Sequence, residues 1–225
     1  MLLLLFDIDG TLLQRASTEH ALALREAAGD VHGVSLLDLD AVEYAGRTDV
    51  AIARDLLAVA GVTDVDARWD DVGRAAALAY ERLCPADLSA KVAPGMVELL
   101  TELSGRPDEF RLSLVTGNLE PIARLKLERA GVGRFFAAGQ GGFGSDHEDR
   151  GRLPAIARSR ASDPPWPRER TVVIGDTPRD IACARADLVR VAAVATGPFA
   201  VTALADADAV VDDARSLLPV LSDWL

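Results

Sequence analysis

The stretch Leu2-Leu3-Leu4-Leu5-Phe6-Asp7-Ile8-Asp9-Gly10-Thr11-Leu12-Leu13 decides how the chain is read. Five apolar residues run without a polar break into two carboxylates spaced two apart, then a glycine. Such an uninterrupted run predicts a strand buried on both faces, as in a parallel sheet. The two acids then fall at its carboxyl end, the edge where open α/β sheets bind ligands. Neighbouring carboxylates repel unless a cation, a shared proton or hydrogen bonds hold them. Oxygen ligands at a strand end suit a hard cation such as Mg²⁺, which bridges readily to substrate phosphate. The competing reading of the same residues is a solvated turn with an incidental Asp-x-Asp.

Downstream of Leu13, apolar residues recur at helical spacing. Thr18 to Ala28 reads as a helix that opens at a polar Ser17–Thr18 pair suited to capping. Val50, Ala53, Leu56, Leu57 and Ala60 mark a second helix, which Gly61 stops, and Val65 to Leu83 a third. No convincing strand falls between Leu36 and Ala90. Residues 15–90 are therefore expected to form an inserted all-helical domain, with 1–14 and 91–225 forming the α/β core.

In the second part strands and helices alternate. Arg111–Val115, Thr171–Ile174, Val189–Val194 and Ala209–Val211 read as strands. Helices are expected from Pro94–Gly95 to Leu103, from Leu119 to Ala130, near Pro154–Ala161, from Pro178 to about Ala186 and from Arg215 to Leu221. Phe135–Phe136 opens a short apolar segment before the glycine-rich loop Gly139–Gly144, which lacks the spacing of a nucleotide-binding fingerprint. This alternation predicts a mostly parallel sheet with helices on both faces.

Three of the strands end in small polar motifs: Asp7-Ile8-Asp9-Gly10-Thr11, Thr116-Gly117-Asn118 and Gly175-Asp176-Thr177-Pro178-Arg179-Asp180. All carboxyl ends of a parallel sheet lie on one edge, so motifs about 60 to about 110 residues apart can meet there. Read locally, Thr116-Gly117-Asn118 also suits a strand-to-helix turn and Asp180 a helix N-terminus.

Composition narrows the partners. Apolar residues make up 49% of the chain, so a normal core is expected. The net charge of −11 disfavours nucleic acid and anionic membranes, and an anionic substrate must be attracted by local cations. Cys84 and Cys183 are far apart and in no metal-ligand spacing, which fits a reducing compartment. No apolar run reaches the ~20 residues of a membrane span, and the expected location is the cytoplasm.

On the three strand-end motifs, the sequence resembles the haloacid dehalogenase-like hydrolase superfamily, in its Mg²⁺-dependent phosphatase branch with a helical cap. Phosphoglycolate phosphatase-type members are the most similar. The resemblance implies a Rossmann-like core and an aspartyl-phosphate intermediate formed on Asp7. It implies that Asp9 handles the proton of the leaving oxygen and then that of water, and that Thr116 binds a phosphoryl oxygen. Backbone groups near Gly10, Thr11, Gly117 and Asn118 would help to hold the phosphate. Mg²⁺ would be bound by Asp7, the Asp9 carbonyl and Asp176, with Asp180 a direct or mediated partner.

The chain departs from the family pattern at its third motif, where a lysine, often followed by proline, is usual. Lys91 and Lys126 are the only lysines. Counted from Thr116, Lys126 lies ten residues along, a rise of ~15 Å that is expected to carry it away from the strand edge. Arg150 falls at a suitable place before the next helix, with Arg152 as the alternative; neither would be a neutral replacement. In the cap, Gly46-Arg47-Thr48-Asp49 is similar to a substrate-facing loop of phosphoglycolate phosphatase-like proteins. That makes Arg47 a candidate for a substrate anion, against the reading of a capped helix start. His147 lies in an acidic loop and is expected to be solvent-exposed.

The expected activity is hydrolysis of a small soluble phosphomonoester. The alternatives are a phosphomutase of the β-phosphoglucomutase type and a catalytically weak relative that binds phosphorylated ligands. Asp9 and Asp176 together argue against dehalogenation. The absence of a lysine from 15–90 argues against Schiff-base phosphonate chemistry.

Overall fold

The computed structural model describes residues 1–35 and 42–225. Its centre is a six-stranded parallel sheet: β1 (Leu2–Phe6), β2 (Phe110–Thr116), β3 (Gly142–Phe143), β4 (Thr171–Gly175), β5 (Arg190–Val194) and β6 (Ala209–Val211). The spatial order is β3-β2-β1-β4-β5-β6. Among the described residues the helices are α1 (Thr18–His32), α2 (Asp49–Val59), α3 (Trp69–Leu83), α4 (Met96–Ser104), α5 (Glu120–Arg129), α6 (Leu153–Ala161), α7 (Pro178–Ala186) and α8 (Leu217–Asp223). This is an α/β Rossmann-like fold with a helical cap.

Every residue of β1 is fully buried, for the reason its sequence suggests. Leu2, Leu4 and Phe6 join one apolar cluster with Leu100 and Leu103 of α4, Ile122 of α5 and Leu217 of α8. Leu3 and Leu5 face the opposite layer, where Leu153 and Ala157 of α6 and Ile181 of α7 pack. The period of two along the strand thus divides its side chains between two covered faces.

Strand order explains where a ligand can enter. From β1 the chain moves outward to β2 and β3; from β4, on the other side of β1, it moves outward to β5 and β6. The loops leaving β1 and β4 therefore diverge and open a crevice between them. Phe6 pairs with Leu114 on one side and Ile174 on the other, which brings Asp7, Thr116 and Asp176 to the same edge.

The three cap helices enclose small residues. Ala23, Leu24 and Ala27 of α1 meet Ala76, Ala79 and Tyr80 of α3 in the same cluster that holds Phe6 and Leu13, so cap and sheet share continuous apolar packing. The expectation of no strand between 36 and 90 holds over the described part, and residues 36–41 lie outside it.

Two local expectations are corrected. Ser17 caps nothing with its side chain and has helical backbone angles. The glycine-rich loop contains β3, whereas Gly133–Phe135 forms only a 3-10 turn. A short edge strand built around glycine gives no alternation to read, and its glycines answer to packing. A Cβ on Gly142 would lie 2.3 Å from the Leu153 carbonyl oxygen, and one on Gly144 would lie 1.9 Å from that of Gly117.

Candidate active site

A cavity of about 700 Å³ opens at the crevice, walled by the strand ends on one side and by α1 and the start of α2 on the other. Asp7, Asp9, Gly10, Arg47, Thr116, Asn118, Arg150 and Asp176 all line it. Oxygens of Asp7, Asp176 and Asp180, all buried, lie within 4.8 Å of one another.

Each acid is placed by a distinct local device. Asp7 continues β1 and donates its N–H to the Ile174 carbonyl at 2.9 Å. Asp176 follows β4; its Oδ1 accepts from Thr11 Oγ1 at 2.9 Å, and its Oδ2 is buried without a partner. Room for this carboxylate depends on two glycines. A Cβ on Gly10, whose φ is +96°, would come within 2.2 Å of Asp176 Oδ2, and one on Gly197 within 1.7 Å. Asp180 serves two purposes. Its Oδ2 accepts from Thr177 N at 3.0 Å and Thr177 Oγ1 at 2.8 Å, closing a capping box at α7. Its Oδ1 accepts from Arg150.

Arg150 also donates to Asp7 Oδ1 at 2.8 Å through the same Nη2, and its Nε is buried without a partner. Arg152 is largely exposed and stands 3.9 Å from Asp149. Of the two arginines, Arg150 reaches the acids.

Electrostatics at this cluster favour a cation. Burial pushes Asp7 up to about 7, with Arg150 opposing and the Asp180 and Asp9 charges adding to the rise. Asp176 is pushed up to about 8 by burial, then by Asp7 and Asp180. Two strained acids, an orphaned buried carboxylate oxygen and an all-oxygen donor set fit a hard divalent ion. The residues present could hold one.

Asp9 stands outside that group. Its Oδ2 and Oδ1 accept from Lys126 Nζ at 2.6 and 2.8 Å, and Asn118 Nδ2 donates to Oδ2 at 3.0 Å. Burial alone would raise this acid; Lys126 and then His20 hold it below the usual carboxylate range. A metal role for Asp9 therefore falls to its main-chain carbonyl.

The position of Lys126 overturns the expectation that it is carried away from the edge. The helix starts at Glu120, so the rise to Lys126 is only about 9 Å. Helical Cβ atoms also tilt toward the N-terminus, here toward the sheet edge. The ammonium is fully buried and also meets Asn118 Oδ1 at 3.0 Å and His20 Nδ1 at 3.1 Å. One signal was available in the sequence. Lys126 occupies the buried stripe of α5 with Ile122, Ala123 and Leu127, a place where an unpaired lysine is not tolerated.

The cap loop seats on the second motif. Asp49 N donates to the Gly117 carbonyl at 2.8 Å, and Asp49 Oδ2 accepts from Leu119 N at 2.7 Å. Gly117 must be glycine, since its Cβ would lie 1.9 Å from the Arg47 carbonyl oxygen. Asp49 Oδ2 also lies 2.9 Å from His20 Nε2, so a ring protonated on Nε2 bonds Asp49 and presents Nδ1 to Lys126. Thr48 caps α2 by accepting from Ala51 N. Arg47 lines the cavity, but its guanidinium pairs with Asp55 at 2.7 Å and donates to the Glu43 and Ala51 carbonyls. The capped helix start and a place on the cavity wall are thus both present, with the guanidinium paired to Asp55 of α2. His147 is exposed and accepts from Asp149 N. Thr116 Oγ1 accepts from Asn118 N at 3.3 Å and lines the cavity.

Many solved structures share the fold at low identity, among them the following three. A hydrolase from Pseudomonas syringae is 21% identical, with a TM-score of 0.68 over 98% of this chain and 97% of that one. A predicted phosphatase from Clostridium acetobutylicum is 17% identical, with a TM-score of 0.70 over 98% of each chain. A predicted phosphoglycolate phosphatase from Haemophilus somnus 129pt is 20% identical, with a TM-score of 0.68 over 97% of this chain and 96% of that one. No curated protein sequence matches the chain. The family model for haloacid dehalogenase-like hydrolase matches residues 4–185, and the chain belongs to that family.

Proposed function

We propose that the protein is a Mg²⁺-dependent phosphomonoester hydrolase acting on a small phosphorylated metabolite. The observation that carries this reading is the gathering of Asp7, Asp176 and Asp180 oxygens within 4.8 Å at the sheet crevice, with Arg150 bonded to Asp7. Asp7, Asp176, Asp180 and the Asp9 carbonyl would hold Mg²⁺, which when bound offsets the repulsion between carboxylate and phosphate.

A carboxylate oxygen of Asp7 attacks phosphorus, and the bond from phosphorus to the leaving oxygen breaks. Asp9, ionised at rest on Lys126, takes a proton from the monoanionic phosphate ester as it binds and passes it to that oxygen. Water then attacks the phosphorus of the aspartyl-phosphate and passes its proton to Asp9, which regenerates Asp7 and frees phosphate. Held on Lys126, the resting Asp9 is in the base form that this second step uses. Thr116 and Arg150 line the cavity and would donate to phosphoryl oxygens there.

The test is phosphate release from an aryl phosphate with Mg²⁺ and with EDTA, for the wild type and for Asp7→Asn. Mg²⁺-dependent release that the variant lacks is expected. Equal rates for the two proteins would remove Asp7 as nucleophile and with it this function.

A further inference from the structure

Three cationic side chains line the active-site cavity: Arg15, Arg47 and Arg150. Two are spent inside the protein, Arg150 on Asp7 and Asp180 and Arg47 on Asp55. Arg15 is different. It is exposed, and its side chain makes no hydrogen bond, ion pair or ring contact among the described residues. In a chain of net charge −11, where most arginines are paired, an unpaired arginine on a cavity wall is conspicuous.

Its backbone is also held in an unusual way. Arg15 has φ +53°, one of only two non-glycine residues with positive φ among those described. The residues on either side fix it there. Gln14 donates its N–H to the Lys91 carbonyl at 2.7 Å and its Nε2 to the Thr196 carbonyl at 3.2 Å, while Ala16 is buried in the core. A left-handed residue between two anchored neighbours is a conformation the fold imposes, and such residues gather at ligand sites. Here the turn lets Ala16 enter the core while Arg15 stays on the cavity wall.

We infer that Arg15 binds a second anionic group of the substrate, remote from the phosphate that is cleaved. The substrate is then a phosphomonoester that also carries a carboxylate or another phosphate. This rests on the proposed phosphatase reading and deepens it. A planar guanidinium with all its donors free suits either anion.

Binding can be measured apart from turnover in the Asp7→Asn background, in the presence of Mg²⁺. Calorimetry compares two matched pairs, 3-phosphoglycerate against glycerol 3-phosphate and fructose 1,6-bisphosphate against fructose 6-phosphate. With Arg15 intact, the more anionic member of at least one pair binds more tightly, and the pair that discriminates identifies the second group. Adding Arg15→Gln should shrink that preference at least about tenfold, and Arg15→Lys should restore part of it. Arg15→Gly, which removes the charge and suits the left-handed backbone, should behave like Arg15→Gln. No preference with Arg15 intact, or a preference that Arg15→Gln and Arg15→Gly leave unchanged, overturns the inference. Mg²⁺-dependent release that needs Asp7, together with such a result, would leave the phosphatase reading standing.

Discussion

Lys126 Nζ stands 2.6 Å from Asp9 Oδ2, across 117 residues of sequence, with the lysine fully buried. The ammonium also faces the ring of Tyr80 at 5.9 Å, so its surroundings are a carboxylate, an amide, an imidazole and an aromatic face. Asp9 keeps 24% of its side chain exposed, but without the buried ammonium it, Asn118 and His20 lose their shared partner. Lys126→Met is therefore expected to destabilise the protein by about 3 kcal/mol, read as a lower urea midpoint at unchanged m-value. A loss under 1 kcal/mol would mean that solvent or rearrangement already satisfies Asp9.

This pair also marks the limit of what the sequence discloses. The run Leu2–Phe6 and the acids after it could be read because burial on two faces writes itself as unbroken hydrophobicity. The meeting of Asp7 with Asp176 could be read because parallel strands share an edge. The stripe of α5 marks Lys126 as buried, but neither its partner Asp9 nor the role of His20 could be placed that way. Both depend on where α5 begins and how α1 leans on it, and neither has a periodic signature. The partner of Arg47 was not legible either, since the rotamer that turns this cavity-lining charge toward Asp55 leaves no trace in the sequence pattern. The strand at Gly142–Phe143 was hidden because glycines chosen for close approach leave no alternation.

The raised acids predict how stability depends on pH. Asp7 and Asp176 hold their protons up to about 7 and about 8 in the folded chain, against an ordinary value of 3.8. The folded state therefore binds more protons across that interval. The stability these two acids contribute is fully present below about pH 4 and is lost as pH rises through those values. In EDTA the melting temperature should fall from about pH 5 to about pH 8, and Mg²⁺ should flatten the fall most at the alkaline end. Asp176→Asn should flatten the EDTA curve and abolish the effect of Mg²⁺. An identical slope with and without Mg²⁺ would show that no ion binds these acids.

Asp49 joins the cap to the second motif through one oxygen shared by Leu119 N and His20 Nε2. Asp49→Ala strands a buried N–H and the imidazole, at a cost of about 2 kcal/mol. Asp49→Asn keeps an acceptor for Leu119 and should lose less than half of that. Both variants loosen Thr116–Asn118, so inorganic phosphate should inhibit turnover more weakly in the order wild type, Asn, Ala. Unfolding curves and inhibition constants measured on the same samples check the order.

Arg150 donates to Asp7 and Asp180 from one nitrogen, and its Nε has no partner in the fold. On the proposed function, this charge holds the attacking carboxylate in place. Truncation removes it, and Arg150→Ala should lower kcat about 10² to 10³-fold, the usual cost of one preorganised donor at a developing charge. Lysine restores charge but not the fork. An ammonium could also meet both acids from one nitrogen, but the lysine side chain is one atom shorter and has no second nitrogen to offer phosphate. Arg150→Lys is thus expected between the two, with kcat recovered more than KM. Arg152 points into solvent beside Asp149, and Arg152→Ala should stay within about twofold of wild type, in keeping with the small worth of exposed pairs. Steady-state rates on an aryl phosphate at saturating Mg²⁺ decide it. If Arg152→Ala falls as far as Arg150→Ala, the working cation of the third motif is Arg152.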